Sequence, residues 1–150
     1  MSAVEEVKLK VYLLDQYNCG SAGTGIMPLR ELLTPGYVVF CPRRVVLPAG
    51  GHLCVPLEIS LEIPAGYVIK FYPCVGLTSK GILSPPFVMF PGERNGWVFI
   101  HMNHLGMSNY TMDRGHRLGT IFLERDVVPM ELIAKSSVDY NEYLRRVHKL

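Results

Sequence analysis

Apolar and polar positions alternate along short runs through most of the chain. In VKLKVYL (7–13), Val7, Leu9, Val11 and Leu13 fall on one face, the period-two signature of a half-buried strand. The longest alternating run, HLCVPLEISLEIP (52–64), turns Leu57, Ile59, Leu61 and Ile63 one way and Glu58, Ser60 and Glu62 the other. YVVFC (37–41), RVVLP (44–48), Tyr67–Tyr72, WVFIHMNH (97–104), residues 110–113 and RLGTIFLE (117–124) read as further strands. FVMF (87–90) reads as a buried one, and LRELL (29–33) as one helical turn at most. Ala49-Gly50-Gly51, Pro85-Pro86, PGERNG (91–96) and Arg114-Gly115 punctuate these runs as turns. Many short strands with turn signals between them predict an all-β barrel or sandwich.

Two segments depart from that rhythm. Pro64–Leu83, PAGYVIKFYPCVGLTSKGIL, reads as a mid-sheet strand, a Pro/Gly corner and a turn carrying Lys80. The tail, VDYNEYLRRVHKL (138–150), spaces Val138, Tyr140, Tyr143, Leu144 and Val147 near a 3.6 period, which predicts a short amphipathic helix. Arg145, Arg146 and Lys149 lie toward its carboxyl end, where cations suit the helix dipole. The expected division is a barrel over 1–135 and a tail over 136–150, which packs on the barrel, frays in solvent or binds a partner.

Composition narrows the classes of function. The chain has 150 residues, 49% hydrophobic and 19% charged, enough to bury a core as one domain. A net charge of +2, with basic residues scattered except at Arg43–Arg44 and Arg145–Arg146, gives no nucleic-acid-binding face. No apolar run approaches the roughly 18 residues of a membrane span. The N-terminus lacks the apolar core of a signal peptide. Cys19, Cys41, Cys54 and Cys74 form no CxxC, so free thiols in a reducing cytosolic or nuclear setting are expected.

Candidate chemistry is sparse. His101 and His104 stand i, i+3 on a predicted strand and so face opposite ways; His52 and His116 lie at a strand start and in a turn, and no metal site is expected. No GxSxG elbow occurs, and Cys74 reads as a small hydrophobe. The Gly-rich loop 15–28 lacks the Lys-Ser/Thr of a P-loop and reads as a connector. Between residues 63 and 112 the only acid is Glu93, so a paired-carboxylate mechanism has little to work with.

The order VPLEISLEIPAGYVIKFYP, CVGLTSKGIL, Asn103-His104 and GHRLGTIFLER resembles the trimeric dUTPase family over about Pro35 to Val128. The resemblance implies an all-β, dUTPase-like jelly-roll or β-barrel. The family's motifs fall on Pro35–Val39, Pro73–Lys80, Phe90–Arg94 and Gly115–Thr120, with the chemistry largely replaced. Val38 stands where the first motif has Asp, and offers no oxygen to a divalent ion. Cys74 and Val75 stand for the Arg and Ser that hold phosphate. Phe90 stands for the Asp that activates water, and Glu93 for the Tyr beneath the base. His116 and Thr120 stand for the Asp and Gln of the fourth motif, and the Gly-rich fifth motif is absent. Gly76, Lys80 and Arg94 remain as candidates for touching an anion.

YxxFCP at Tyr37–Pro42, PxGY at Pro64–Tyr67, Lys80–Leu83, Met102–His104 and GTxxLER at Gly119–Arg125 resemble the dUTPase-like branch encoded in adenovirus early region four. That resemblance implies a non-enzymatic viral regulator with no catalytic residues and no cofactor. The setting it implies is the host cytoplasm, with the nucleus or partner-borne membrane association as further settings. Its implied partners are phosphoinositide 3-kinase and PDZ-domain scaffolds, in the service of growth signalling. A homotrimer is implied, with a monomer as the alternative. PDZ domains capture a terminal carboxylate with a hydrophobic last residue; Leu150 suits that pocket, Val147 and His148 flank it, and His148 replaces the usual hydroxyl. The competing expectations are a diverged but active dUTP pyrophosphatase and an assembly protein on the same fold.

Overall fold

A computed structural model describes residues 7–14, 24–125 and 128–149. Its strands are β1 Lys10–Leu13, β2 Leu29–Arg30, β3 Tyr37–Phe40, β4 Val45–Leu47, β5 His52–Glu62, β6 Tyr67–Pro73, β7 Ile82–Leu83, β8 Phe87–Met89, β9 Trp97–His104, β10 Tyr110–Met112 and β11 Arg117–Arg125. A four-stranded sheet (β1-β5-β9-β7) packs over a five-stranded one (β2-β3-β11-β6-β8), and β10 pairs with β4. Every pairing is antiparallel. The expected all-β jelly roll with a short C-terminal helix is the observed fold.

Alternation drives this packing. Val98, Ile100 and Met102 of β9 face inward and meet Leu57, Ile59 and Leu61 of β5 and Phe71 of β6 in one core. Phe71 is fully buried and stacks on Phe87 with ring centroids 4.9 Å apart. Burying each such side chain contributes about 1.5–3 kcal/mol. Gly96, entering β9 with φ 79, lies so close to β5 that a Cβ would sit 2.2 Å from the Leu61 carbonyl oxygen.

Three local expectations are corrected. LRELL forms no helical turn: Leu29–Arg30 pairs with β3, and the chain then bends through residues 32–35, leaving Leu32 and Leu33 exposed. FVMF is not a buried strand, because β8 is the sheet edge; Met89 is buried but Val88 and Phe90 are exposed. Glu58 is not on the polar face of β5. The register between β5 and β9 shifts between Pro56 and Ser60, and Glu58 takes φ 58 and turns inward.

That inward carboxylate joins distant segments. Arg43 Nε and Nη2 donate to its two oxygens at 2.9 and 2.6 Å, and Thr24 Oγ1 donates to Oε2. Arg114 Nη1 donates to the Thr24 and Pro42 carbonyls. The Arg43 guanidinium, ahead of an opposing cost of burial, holds the Glu58 carboxyl below its ordinary range.

After β11 the chain leaves the sheets. Residues 128–136 have no regular structure, with Val128, Met130, Leu132 and Ile133 all exposed. A helix follows over Ser137–His148, started by a reciprocal cap: Ser136 Oγ accepts from Asp139 N while Asp139 accepts from Ser136 N. Arg145, Arg146 and His148 occupy its last turn, and none of its described residues is buried. No helix among the described residues is long and apolar enough to cross a membrane. Cys19, Leu150 and the Gly20–Gly23 part of the connector lie outside the described residues.

Candidate functional site

The resemblance directs attention to two places, and they differ in kind. The first is the corner after β6. Pro73 ends that strand, Cys74 precedes a single-turn helix over Val75–Thr78, and Gly81, at φ 77, turns the chain into β7. Leu77 is fully buried and pins the turn, while Val75 is 83% exposed. Cys74 Sγ donates to the Arg117 carbonyl at 3.4 Å, so this thiol faces the start of β11 and holds the corner closed. Gly76 lies exposed on the outer side of the turn.

Lys80 completes the corner. Its Nζ donates to the Tyr110 hydroxyl at 2.5 Å and lies 4.7 Å from the ring centroid. Tyr110 in turn meets the edge of His116 at 6.0 Å. Burial first, and the Lys80 charge second, push the His116 imidazole below its ordinary pKa, which favours the neutral ring. The corner thus presents the Lys80 ammonium and an imidazole biased toward its neutral form, where a phosphate grip needs several donors. Tyr110 was missed by sequence reasoning; nothing in the spacing of YTM links it to a lysine 30 residues earlier.

Val38 and Thr120 lie directly opposite each other on the β3–β11 ladder. Val38 is 4% exposed, and Thr120 is half-buried. The position to which the resemblance assigns the first motif's acid is therefore apolar and closed to solvent.

The second place is the β8–β9 connection. Phe90 is 45% exposed just past β8. Glu93 Oε2 accepts from Phe90 N at 3.0 Å, tying its carboxylate into its own turn. Arg94 and Asn95 adopt left-handed backbone angles, φ 49 and 53. Glu93 and Arg94 border a cleft of about 100 Å³ with Pro85, Pro86, Phe99 and His101. That cleft takes in Arg94 but neither Gly76 nor Lys80, the other anion candidates.

In the tail, Val147 is 42% exposed and His148 is exposed, both on the C-terminal helix. His101 and His104 do face opposite ways on β9. His104 is buried with Nε2 2.7 Å from the Ser108 carbonyl, and His101 faces outward. Among the described residues, no three histidine, cysteine, aspartate or glutamate side chains converge on a point a metal could occupy.

Comparison with known proteins places this geometry. No protein-family model matches the chain. E4-ORF1 of human adenovirus D serotype 9 is 32% identical over 110 residues, covering 73% of this chain and 87% of its own. The deoxyuridine 5'-triphosphate nucleotidohydrolase of the yeast Debaryomyces hansenii is 25% identical over 124 residues, covering 82% and 73%. Among solved structures, the dUTPase of Staphylococcus aureus phage phi11 aligns with a TM-score of 0.72 at 18% identity, over 87% of this chain and 99% of that one. The structural match carries the fold, and the E4-ORF1 match carries the kinship: this chain is a viral member of the dUTPase-like family, the family of adenovirus E4-ORF1.

Proposed function

We propose that this chain is a non-enzymatic regulator on a dUTPase scaffold, acting in the host cell by binding host signalling proteins. The observation that carries the reading is Phe90. An exposed hydrocarbon ring, which cannot take a proton, stands where the resemblance assigns the base that activates water. Hydrolysis of a pyrophosphate needs that base and donors for the developing charge, and loss of one such donor alone commonly costs about 10²–10³ in rate. Cys74, bonded to a backbone carbonyl, and Val75, bare in solvent, stand in place of phosphate donors.

The surfaces left open suit protein partners. The C-terminal helix buries none of its described residues, and the arm before it carries four exposed apolar side chains, Val128, Met130, Leu132 and Ile133. Such apolar surface is expected to be covered in an assembly. The reading is a homotrimer in the host cytoplasm, with phosphoinositide 3-kinase and PDZ-domain scaffolds as the partners and the tail from Val147 through His148 to Leu150 as their attachment point.

Two experiments test this. Purified chain with dUTP and magnesium should show no turnover above background; turnover that Lys80→Ala or Arg94→Ala abolishes would instead make it an enzyme. Affinity purification from transfected cells should recover host signalling proteins with the full chain and lose the tail-dependent ones when Leu150 is deleted. Recovery of none, with growth-factor signalling unchanged, would reject the regulatory reading.

A further inference from the structure

The outer face of the β5–β9 ladder carries a cluster beside the β8–β9 cleft, which His101 also borders. Cys54 and His101 are directly opposed in the register, and His52, two residues before Cys54, shares their face opposite Asn103. Opposed side chains on a sheet start about 5 Å apart at Cβ and diagonal ones about 7–8 Å, so the His101 ring is within reach of both Cys54 and His52. Cys54 Sγ lies 3.8 Å from His101 Nε2. The His52 and His101 rings stack, with centroids 5.8 Å apart and planes 24° from parallel. His52 and Cys54 are exposed and His101 is half-buried, so solvent reaches the cluster.

A thiolate sulfur and an imidazole nitrogen bound to one tetrahedral zinc, at about 2.3 and 2.0–2.1 Å, stand roughly 3.6 Å apart. Cys54 and His101 already hold that separation to within a few tenths of an ångström. His52 lies over His101 and does not point beside its Nε2, which is why three ligands do not converge as placed. An exposed side chain on a strand changes rotamer readily, so His52 is free to leave the stack.

We propose that Cys54 and His101, joined by His52, form a seat for a borderline-soft divalent cation, Zn²⁺ foremost. One sulfur and two nitrogens favour zinc or a late first-row metal and disfavour magnesium and calcium, which take oxygen ligands. On binding, the Cys54 thiol releases its proton to solvent and the thiolate becomes the ligand. At least one coordination position stays open toward solvent. The other described thiols are otherwise engaged: Cys41 is buried with Sγ donating to the Arg43 carbonyl, and Cys74 donates to that of Arg117. His104, on the same strand as His101, points into the interior and takes no part.

Co²⁺ titration of the full chain, as a spectroscopic stand-in for Zn²⁺, tests the proposal in a Cys19→Ser background. One Co²⁺ per chain should produce a thiolate-to-cobalt charge-transfer band that added Zn²⁺ abolishes. Cys54→Ser should remove the band. His101→Ala and His52→Ala should each weaken binding by roughly tenfold or more, since even partners of metal ligands matter by about 10–100-fold. A second readout needs no variant: bound Zn²⁺ should slow alkylation of Cys54, mapped by mass spectrometry. No thiolate band, a band that survives Cys54→Ser, or equal alkylation rates with and without Zn²⁺ would each overturn the assignment.

Discussion

Replacing Arg43 with methionine separates an inward carboxylate from its partner and measures what the bulge in β5 depends on. Glu58 is 8% exposed, and the Arg43 fork reaches both of its oxygens. Removing one member of a buried pair costs about 3–5 kcal/mol, because the charge left behind is desolvated. Arg43 is itself 48% exposed, so water replaces part of the lost interaction, and Thr24 still donates. The expected cost is at the low end, about 3 kcal/mol. For a domain of this size, at roughly 2–4 °C per kcal/mol, the thermal midpoint should fall by about 6–12 °C. The acid limb supplies a second test. The folded-state pKa of Glu58 is depressed, so its contribution is present above the ordinary carboxyl value of 4.5 and is lost as pH falls through the lower folded value. Unfolding midpoints measured downward from neutral pH should therefore decline more steeply for the wild type than for Glu58→Gln. A shift under about 2 °C for Arg43→Met, well below the cost derived from a buried pair, together with parallel acid limbs, would refute the reasoning.

Other substitutions probe separate features. Gly119→Ala places a methyl 2.3 Å from the Tyr72 carbonyl oxygen and 2.5 Å from the Phe71 ring, and calorimetry should show a loss of about 1–3 kcal/mol. Lys80→Ala removes an exposed ammonium–tyrosine contact and should change stability by less than about 1 kcal/mol in the same measurement. Ser136→Ala deletes the helix cap and should cost about 1 kcal/mol of helix stability, seen as reduced helicity by circular dichroism without a shift in the barrel's unfolding midpoint. Truncation after Lys135 should likewise leave that midpoint unchanged, because no described helical residue is buried.

Strand content was legible wherever one face is buried. WVFIHMNH forms β9 over the full predicted span, because a central strand forces strict alternation. Glu58 escaped prediction because alternation assumes an unbroken ladder. A bulge inserts a residue with no mark in composition, and a glutamate at φ 58 is not a residue type that signals one. FVMF misled for the opposite reason: an apolar run does not say whether its strand is central or at an edge. In the candidate site, the replacements expected at Val38, Cys74, Val75 and Phe90 follow from the family resemblance set against the residue types. The contacts Lys80–Tyr110, Cys74–Arg117 and Cys54–His101 could not, since each joins segments 30 or more residues apart through the fold.

The self-capped helix at the C-terminus has a consequence for how such a protein can change. Its start is encoded within four consecutive residues, Ser136 to Asp139, and none of its described residues is buried. Substitutions along its surface are therefore nearly invisible to the folding of the sheets. A lineage can rewrite that surface one residue at a time without passing through an unfolded intermediate genotype. The barrel supplies the durability, and the tail supplies the freedom to vary.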